Sequence, residues 1–246
     1  HYPLRRQRQM CIRDSDYPYS HLRYSGVLPD VIGSFIPMTE LKLTYQTGDI
    51  VHPVQYGKPI APRWLVYPPA VSFDLNPESN STGLHTLIMV DPDVPFRDVA
   101  TNAERVHWLI YDMMGNDTRS ARTLIEYEGV WPRSCNESDD LCLKEHRVTF
   151  VLFEQPHGRL TLHEEDVHIA AGIDVGRLKF KTRDFASRHR LDLHIAVNFF
   201  ETWYDDRPMH SNDPPFGQMP WWHVTDTDGS LQEDTADGVH EVKDEV

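Results

Sequence analysis

The sequence predicts a mostly β fold, on three observations. Its apolar segments are short, they are rich in β-branched and aromatic residues, and Pro, Gly, Asn and Asp bound them. One stretch stands out as helical, TRDFASRHRLD, with Thr182 as its cap, Asp184 in the first turn and basic residues gathered at its end. No run of about 18 apolar residues occurs, so no membrane-spanning helix is predicted.

In chain order the predicted strands are LKLTYQ (41–46), AVSFDL (70–75), LHTLIMV (84–90), VHWLIYDM (106–113), RVTFVLFEQ (147–155) and IAVNFFETWY (195–204). Several are apolar on both faces, as central strands are. They place one domain at residues 24–210, the default for a chain of 246 residues with no internal repeat.

The ends read differently. Residues 1–23 are expected to be an extension, disordered or foreign to the native protein. HYPLRRQRQMCIRDS has four arginines, no apolar core for a secretory signal and the look of translated sequencing-adapter sequence. A basic interaction arm is the functional alternative. Residues 211–225, with Trp221 and Trp222, are expected to pack on the domain as a C-terminal extension. Residues 226–246 are acidic, lack apolar periodicity and are expected to be a solvated, disordered tail. The net charge of −14 argues against a nucleic-acid partner, which needs a clustered basic surface.

Setting Cys11 aside with the opening stretch, Cys135 and Cys142 remain, in SCNESDDLC, where a disulfide-closed loop and a pair of free thiols are both allowed. Asn80, Asn116 and Asn136 open N-x-[ST] sites in polar, turn-like contexts and are glycosylation candidates. Together these features predict a secreted protein, with a cytosolic one as the alternative.

The segment that raises a functional question is DPDVP, Asp91 to Pro95, directly after a predicted strand. Proline removes a backbone donor and two acids in alternation repel, so neither residue type prolongs a strand. The pattern reads as a rigid loop that holds acids in place. Asp93 is expected to shape this loop through an Asx-turn as well as to reach a ligand. His107, inside VHWLIYDM, has an ordinary reading too, a buried histidine satisfied by a backbone carbonyl.

DPDVP followed by VHWLIYDMMGND, EHRVTFVLFEQ and FKTRDFASRHRLDLHIAVNFFETWYDD resembles the phosphatidylethanolamine-binding protein family over residues 27–206, as does VLPDVIGSFIPMTELKLTY upstream. The resemblance implies a central antiparallel β-sheet with a second smaller sheet and a few peripheral helices. It implies an anion pocket made by Asp91, His107 and His146, with Asp93, Pro92, Pro132 and Phe200 at its walls. A histidine whose pKa is raised beside a carboxylate would donate to phosphate oxygens there. Where relatives place hydroxyl-bearing aromatics this chain has Val148 and Phe200. Both changes are expected to weaken phosphate binding or favour a more apolar ligand.

The resulting functional expectation is non-catalytic binding of a phospholipid headgroup or another phosphorylated small ligand by a monomer, without cofactor or metal and with peripheral membrane contact at most. The alternative is a regulatory interaction protein, acting on a kinase or a serine protease through the pocket rim. A third class, a hydrolase in which Asp91, Asp93 and two histidines hold a divalent metal, ranks behind both.

Overall fold

A computed structural model describes residues 17–34, 37–74, 83–132, 145–171, 175–191 and 194–204. The chain divides into His1–Pro214 and Pro215–Val246. The second unit lies outside the described residues, as do residues 1–16 and 205–214, so the expectations for the tail and for Trp221 and Trp222 fall there.

Among the described residues, eight strands form two antiparallel sheets. β1 (Lys42–Thr47), β2 (Ile50–Pro53) and β3 (Ala70–Ser72) make the smaller sheet in the order β2-β1-β3. The larger sheet runs β6-β5-β4-β7-β8, built from β4 (Leu84–Asp91), β5 (Arg105–Met114), β6 (Arg122–Ile125), β7 (His146–Glu154) and β8 (His194–Thr202). β4 and β7 are buried along their whole length. That explains their unbroken apolar character, because both faces of the large sheet are covered.

Each face has its own core. Val148, Phe150 and Leu152 of β7 join Leu41, Leu43 and Tyr45 from the small sheet side. Val151 and Phe153 join Leu22, Val27 and Val31 from the N-terminal segment and Phe185 from the last helix. Alternation along one extended strand thus feeds two cores, as the two-residue period of a strand requires.

The registers bring distant residues to one end of the large sheet. β4 pairs with β5 so that Asp91 faces Arg105, and with β7 so that Val90 faces Thr149. The end of β4, the start of β5 and the start of β7 therefore meet, and Asp91, His107 and His146 sit at those positions.

Among the described residues, four α-helical segments flank the sheets, besides three single-turn 3-10 segments: α1 (Tyr17–Tyr24), α2 (Val27–Asp30), α3 (Glu164–Ala171) and α4 (Thr182–Arg188). Three corrections to the sequence reading follow. The domain begins before residue 24, since α1 covers Tyr17–Tyr24 and Leu22 is buried in the helix-side core. Thr182 does not cap α4; Lys181 holds the cap position without a side-chain bond. Glu104 does that work from the start of the β5 segment, accepting from the Thr182 amide at 3.2 Å and from the Thr182 hydroxyl. AVSFDL shortens to Ala70–Ser72, after which the side-chain amide of Asn116 takes over the pairing, accepting from Phe73 N and donating to Phe73 O, each at 2.9 Å.

Truncating Leu22 tests whether α1 belongs to the domain. Leu22→Ala should lower the unfolding free energy by about 2–5 kcal/mol in a urea titration, the usual loss for a buried leucine. A change of under about 0.5 kcal/mol, typical of surface substitutions, would place α1 outside the cooperative unit.

Candidate functional site

The acids of the DPD turn are held by two adjacent residues at the start of β7. Asp91 Oδ2 accepts from His146 Nδ1 at 2.7 Å, and Asp91 Oδ1 accepts from the Asp93 amide at 2.8 Å. The Asx-turn is thus made by Asp91. Asp93 has no exposure and accepts from Arg147 three times, from Nε at 2.9 Å, from Nη2 at 2.6 Å and from the backbone N at 2.8 Å. Asp93 is therefore a support for the loop; its expected role as a ligand contact gives way to the Arg147 pair.

Arg147 reaches further. Its Nη1 donates to Ser25 O and to Asp30 Oδ2, both at 2.7 Å. Gly26 adjoins this contact with φ +80°, and a Cβ there would stand 2.8 Å from Arg147 Nη1. A side chain would need both a disfavoured backbone conformation and room that the guanidinium occupies.

His107 is 3% exposed, and its Nδ1 lies 3.1 Å from the Glu128 carbonyl oxygen. A carbonyl only accepts, so Nδ1 carries a proton. The Glu128 carboxylate is held by Arg105 Nη2 at 2.8 Å and Arg177 Nε at 3.2 Å. Burial lowers the His107 pKa well below 6.5, and the charges of Arg105, Arg177 and His146 push it further down. The ring is neutral near pH 7, which leaves Nε2 as a lone-pair acceptor. That atom is buried and has no hydrogen-bond partner in the structure.

His146 behaves oppositely. Burial disfavours its charge, but the Asp91 carboxylate opposes this by charge and hydrogen bond, with help from Asp93 and the Pro95 carbonyl, and the net result is a raised pKa. Asp91 is therefore the partner of His146, and His107 is neither hydrogen-bonded to a carboxylate nor raised in pKa. The ordinary reading of His107, a buried ring on a carbonyl, holds for Nδ1 and leaves Nε2 over.

The expected wall residues divide. Pro92 and Pro132 are buried. Phe200 has no exposure and belongs to the core on the small-sheet side, edge-on to Tyr45 with centroids 5.8 Å apart and opposite Val148 in the β7/β8 register. Its expected ligand contact is thereby corrected to a packing role. Of the glycosylation candidates, Asn116 is exposed but its side-chain nitrogen is engaged by Phe73 O. Asn80, Asn136, Cys135 and Cys142 lie outside the described residues. Among the described residues, no group of three or more His, Cys, Asp or Glu converges to hold a metal ion.

Sequence reasoning missed Arg147, Glu128, Arg105 and Arg177. A signal for the first was present, since two ionisable residues in succession, His146 and Arg147, open a strand whose middle, Val148 to Phe153, is apolar but for Thr149. The other three depend on a crossing of loops that no spacing reveals.

Chemically the site combines a histidine that favours its charged form with a neutral histidine that needs a donor. A group bearing both an anionic oxygen and an O–H or N–H suits both requirements.

Comparison with known proteins agrees with this fold. The family model described as phosphatidylethanolamine-binding protein matches residues 52–200. The chain is 30% identical to the protein TWIN SISTER of FT of Arabidopsis thaliana over 176 residues, 71% of this chain and 86% of that protein. It is 30% identical to the protein FLOWERING LOCUS T of Arabidopsis thaliana over 177 residues, 72% of this chain and 86% of that protein. Among solved structures, a carboxypeptidase Y inhibitor complexed with its cognate proteinase shares the fold with a TM-score of 0.60 at 23% identity, covering 78% of this chain and 98% of that one. The phosphatidylethanolamine-binding protein of Plasmodium vivax does so with a TM-score of 0.51 at 16% identity, covering 76% and 97%.

The two histidines should separate in an NMR pH titration of their ring C–H signals. His146 should show a midpoint above the ordinary value of 6.5, and that midpoint should fall in Asp91→Asn. Because its folded pKa is raised, the stability it contributes is present below about pH 6.5 and lost as pH rises through the folded midpoint. His107, with a depressed pKa, should contribute stability above about pH 6.5 that is lost as pH falls below it. A His107 midpoint at or above 6.5 would contradict the neutral-ring assignment.

Proposed function

The chain belongs to the phosphatidylethanolamine-binding protein family, and on that premise we propose that it is a non-catalytic binding protein whose site at Asp91, His146 and His107 takes a phosphorylated headgroup or a similar small anion. The observation that carries this reading is the unpartnered Nε2 of His107, buried near an imidazole whose charge Asp91 favours. A buried acceptor without a donor is costly. A phosphomonoester or phosphoethanolamine offers the missing proton through P–OH or ammonium while its anionic oxygens favour His146 in the charged form.

Support also comes from the rigidity of the surroundings. The DPD turn is fixed by the five hydrogen bonds already described, so little ordering remains to be done on binding. Val148 and Phe200 add apolar bulk to the core beneath the site and no hydroxyl, which agrees with modest affinity for phosphate alone. The proposal extends to a monomer acting outside the cell and meeting lipid only at the bilayer surface, on the strength of the sequons and the Cys135 and Cys142 pair.

A second reading has one specific observation behind it: a protein of the same fold is a carboxypeptidase Y inhibitor, complexed with its cognate proteinase. In this reading the rim of the site engages a protein, a protease or a kinase, and the pocket is secondary.

Calorimetric titration with phosphoethanolamine separates the two. Saturable binding is expected, with His107→Ala weakening it by about 1.5–3 kcal/mol, the scale of a charge-assisted hydrogen bond. Asp91→Asn should weaken it too and flatten its pH dependence between about 5 and 8, where histidine titrates. Failure of the unmodified protein to bind at millimolar concentration, or equal binding by both variants, would sink the pocket reading and advance the rim.

A further inference from the structure

At the opposite end of the large sheet, the turn after β7 and the end of α4 enclose a cavity of about 380 Å³. β7 runs nine residues from His146 to Glu154, next to the cavity residue Gln155. At the rise of an extended strand the cavity is about 30 Å from the Asp91 site. None of the lining residues is shared with that site.

The lining is basic on a chain whose net charge is −14: Arg159, Arg188, Arg190, His157, His163 and His189 all contribute. Among the described residues, the carboxylates that contact them are Asp112, Asp166 and Glu165. Asp166 is fully buried and accepts from Arg188 Nη2, from His189 Nε2 and from the His163 amide, each at 2.8 Å. Asp112, also buried, accepts through Oδ1 from Gln155 Nε2 at 2.8 Å and from Leu160 N at 2.9 Å, while its Oδ2 has no hydrogen-bond partner and lies 3.6 Å from Arg159 Nη1. These two acids fix the lining from behind and do not fill it. Glu165 stands in solvent, 3.8 Å from Arg188 Nε.

Donors remain unused. Arg188 Nε is buried with no hydrogen-bond partner. Arg190, held at φ +53° after α4, makes no ion pair among the described residues. Leu160 and Leu191 provide apolar wall between the bases.

We propose that this cavity is a second binding site, for a small phosphate-bearing oxyanion. Guanidinium groups present paired donors that match phosphate oxygens, and several of them converging in one concavity favour a multivalent anion. The volume lies within the range of small-ligand pockets and admits a phosphate or pyrophosphate with a short organic stem.

The test is an NMR titration of the full chain with inorganic pyrophosphate, read at the amides of Gly158, Leu160 and Leu191. Saturable shifts are expected at these amides. Arg159→Gln combined with Arg190→Gln should weaken them at least about tenfold, the loss expected for one charge-assisted contact. Arg190 is exposed and makes no ion pair among the described residues, so Arg190→Gln alone should leave the melting temperature unchanged, whereas Arg159 lies 3.6 Å from the buried Asp112 carboxylate. Flotation with vesicles containing phosphatidic acid assigns the source. Capture that the double variant loses supports a lipid headgroup, and pyrophosphate binding without capture supports a free phosphate compound. Amides that do not move at millimolar pyrophosphate, or equal titrations in the two proteins, would overturn the proposal.

Discussion

The buried pair between Asp93 and Arg147 is the contact on which the candidate site rests. Asp93 receives the Nε and Nη2 edge of the guanidinium and the backbone N–H of the same residue, while Nη1 of Arg147 ties Ser25 and Asp30. One side chain thereby joins the DPD turn, the start of β7 and the N-terminal segment. Such a pair is not a strong source of net stability, because desolvation of two charges offsets most of their attraction. Its effect is geometric. Removing one partner strands the other in a place without water, so the turn has one acceptable position.

With the turn so placed, neighbouring residues of β7 divide the labour. His146 and Arg147 alternate across the strand: Arg147 points to the helical side and the N-terminal segment, and His146 stays with Asp91. The same burial then has opposite outcomes for two histidines. His146 has a carboxylate at 2.7 Å, which outweighs desolvation. His107 has only a carbonyl at Nδ1 and cations near it, so desolvation and charge act together to keep it neutral. The candidate site thus holds two histidines whose surroundings favour different protonation states.

Much of the fold was readable in the sequence because central strands carry a strong apolar signal. All six expected strands exist, most within one or two residues of the expected bounds. β2 and β6 escaped notice because IVHP and RTLI are short and partly exposed, with little apolar pattern to see. α1 was hidden by the strangeness of the stretch before it. α3 had a signal in Glu164, Glu165 and Asp166, three acids where a helix N-terminus favours them, with Asp166 reaching back to the His163 amide. At the site, the resemblance picked out Asp91, His107 and His146, which the registers bring to one end of the sheet. Which histidine pairs with Asp91 was not readable, because that depends on where the turn directs its carboxylates, and Arg147 decides this.

The most direct test of that dependence is a double-mutant cycle in urea unfolding, with Asp93→Asn, Arg147→Gln and the combination. A shared clamp predicts a coupling energy of about 1–3 kcal/mol, the double variant losing less than the sum of the single losses. Losses that add within about 0.5 kcal/mol would show that the two side chains act independently, and would contradict the dependence of the site on their contact.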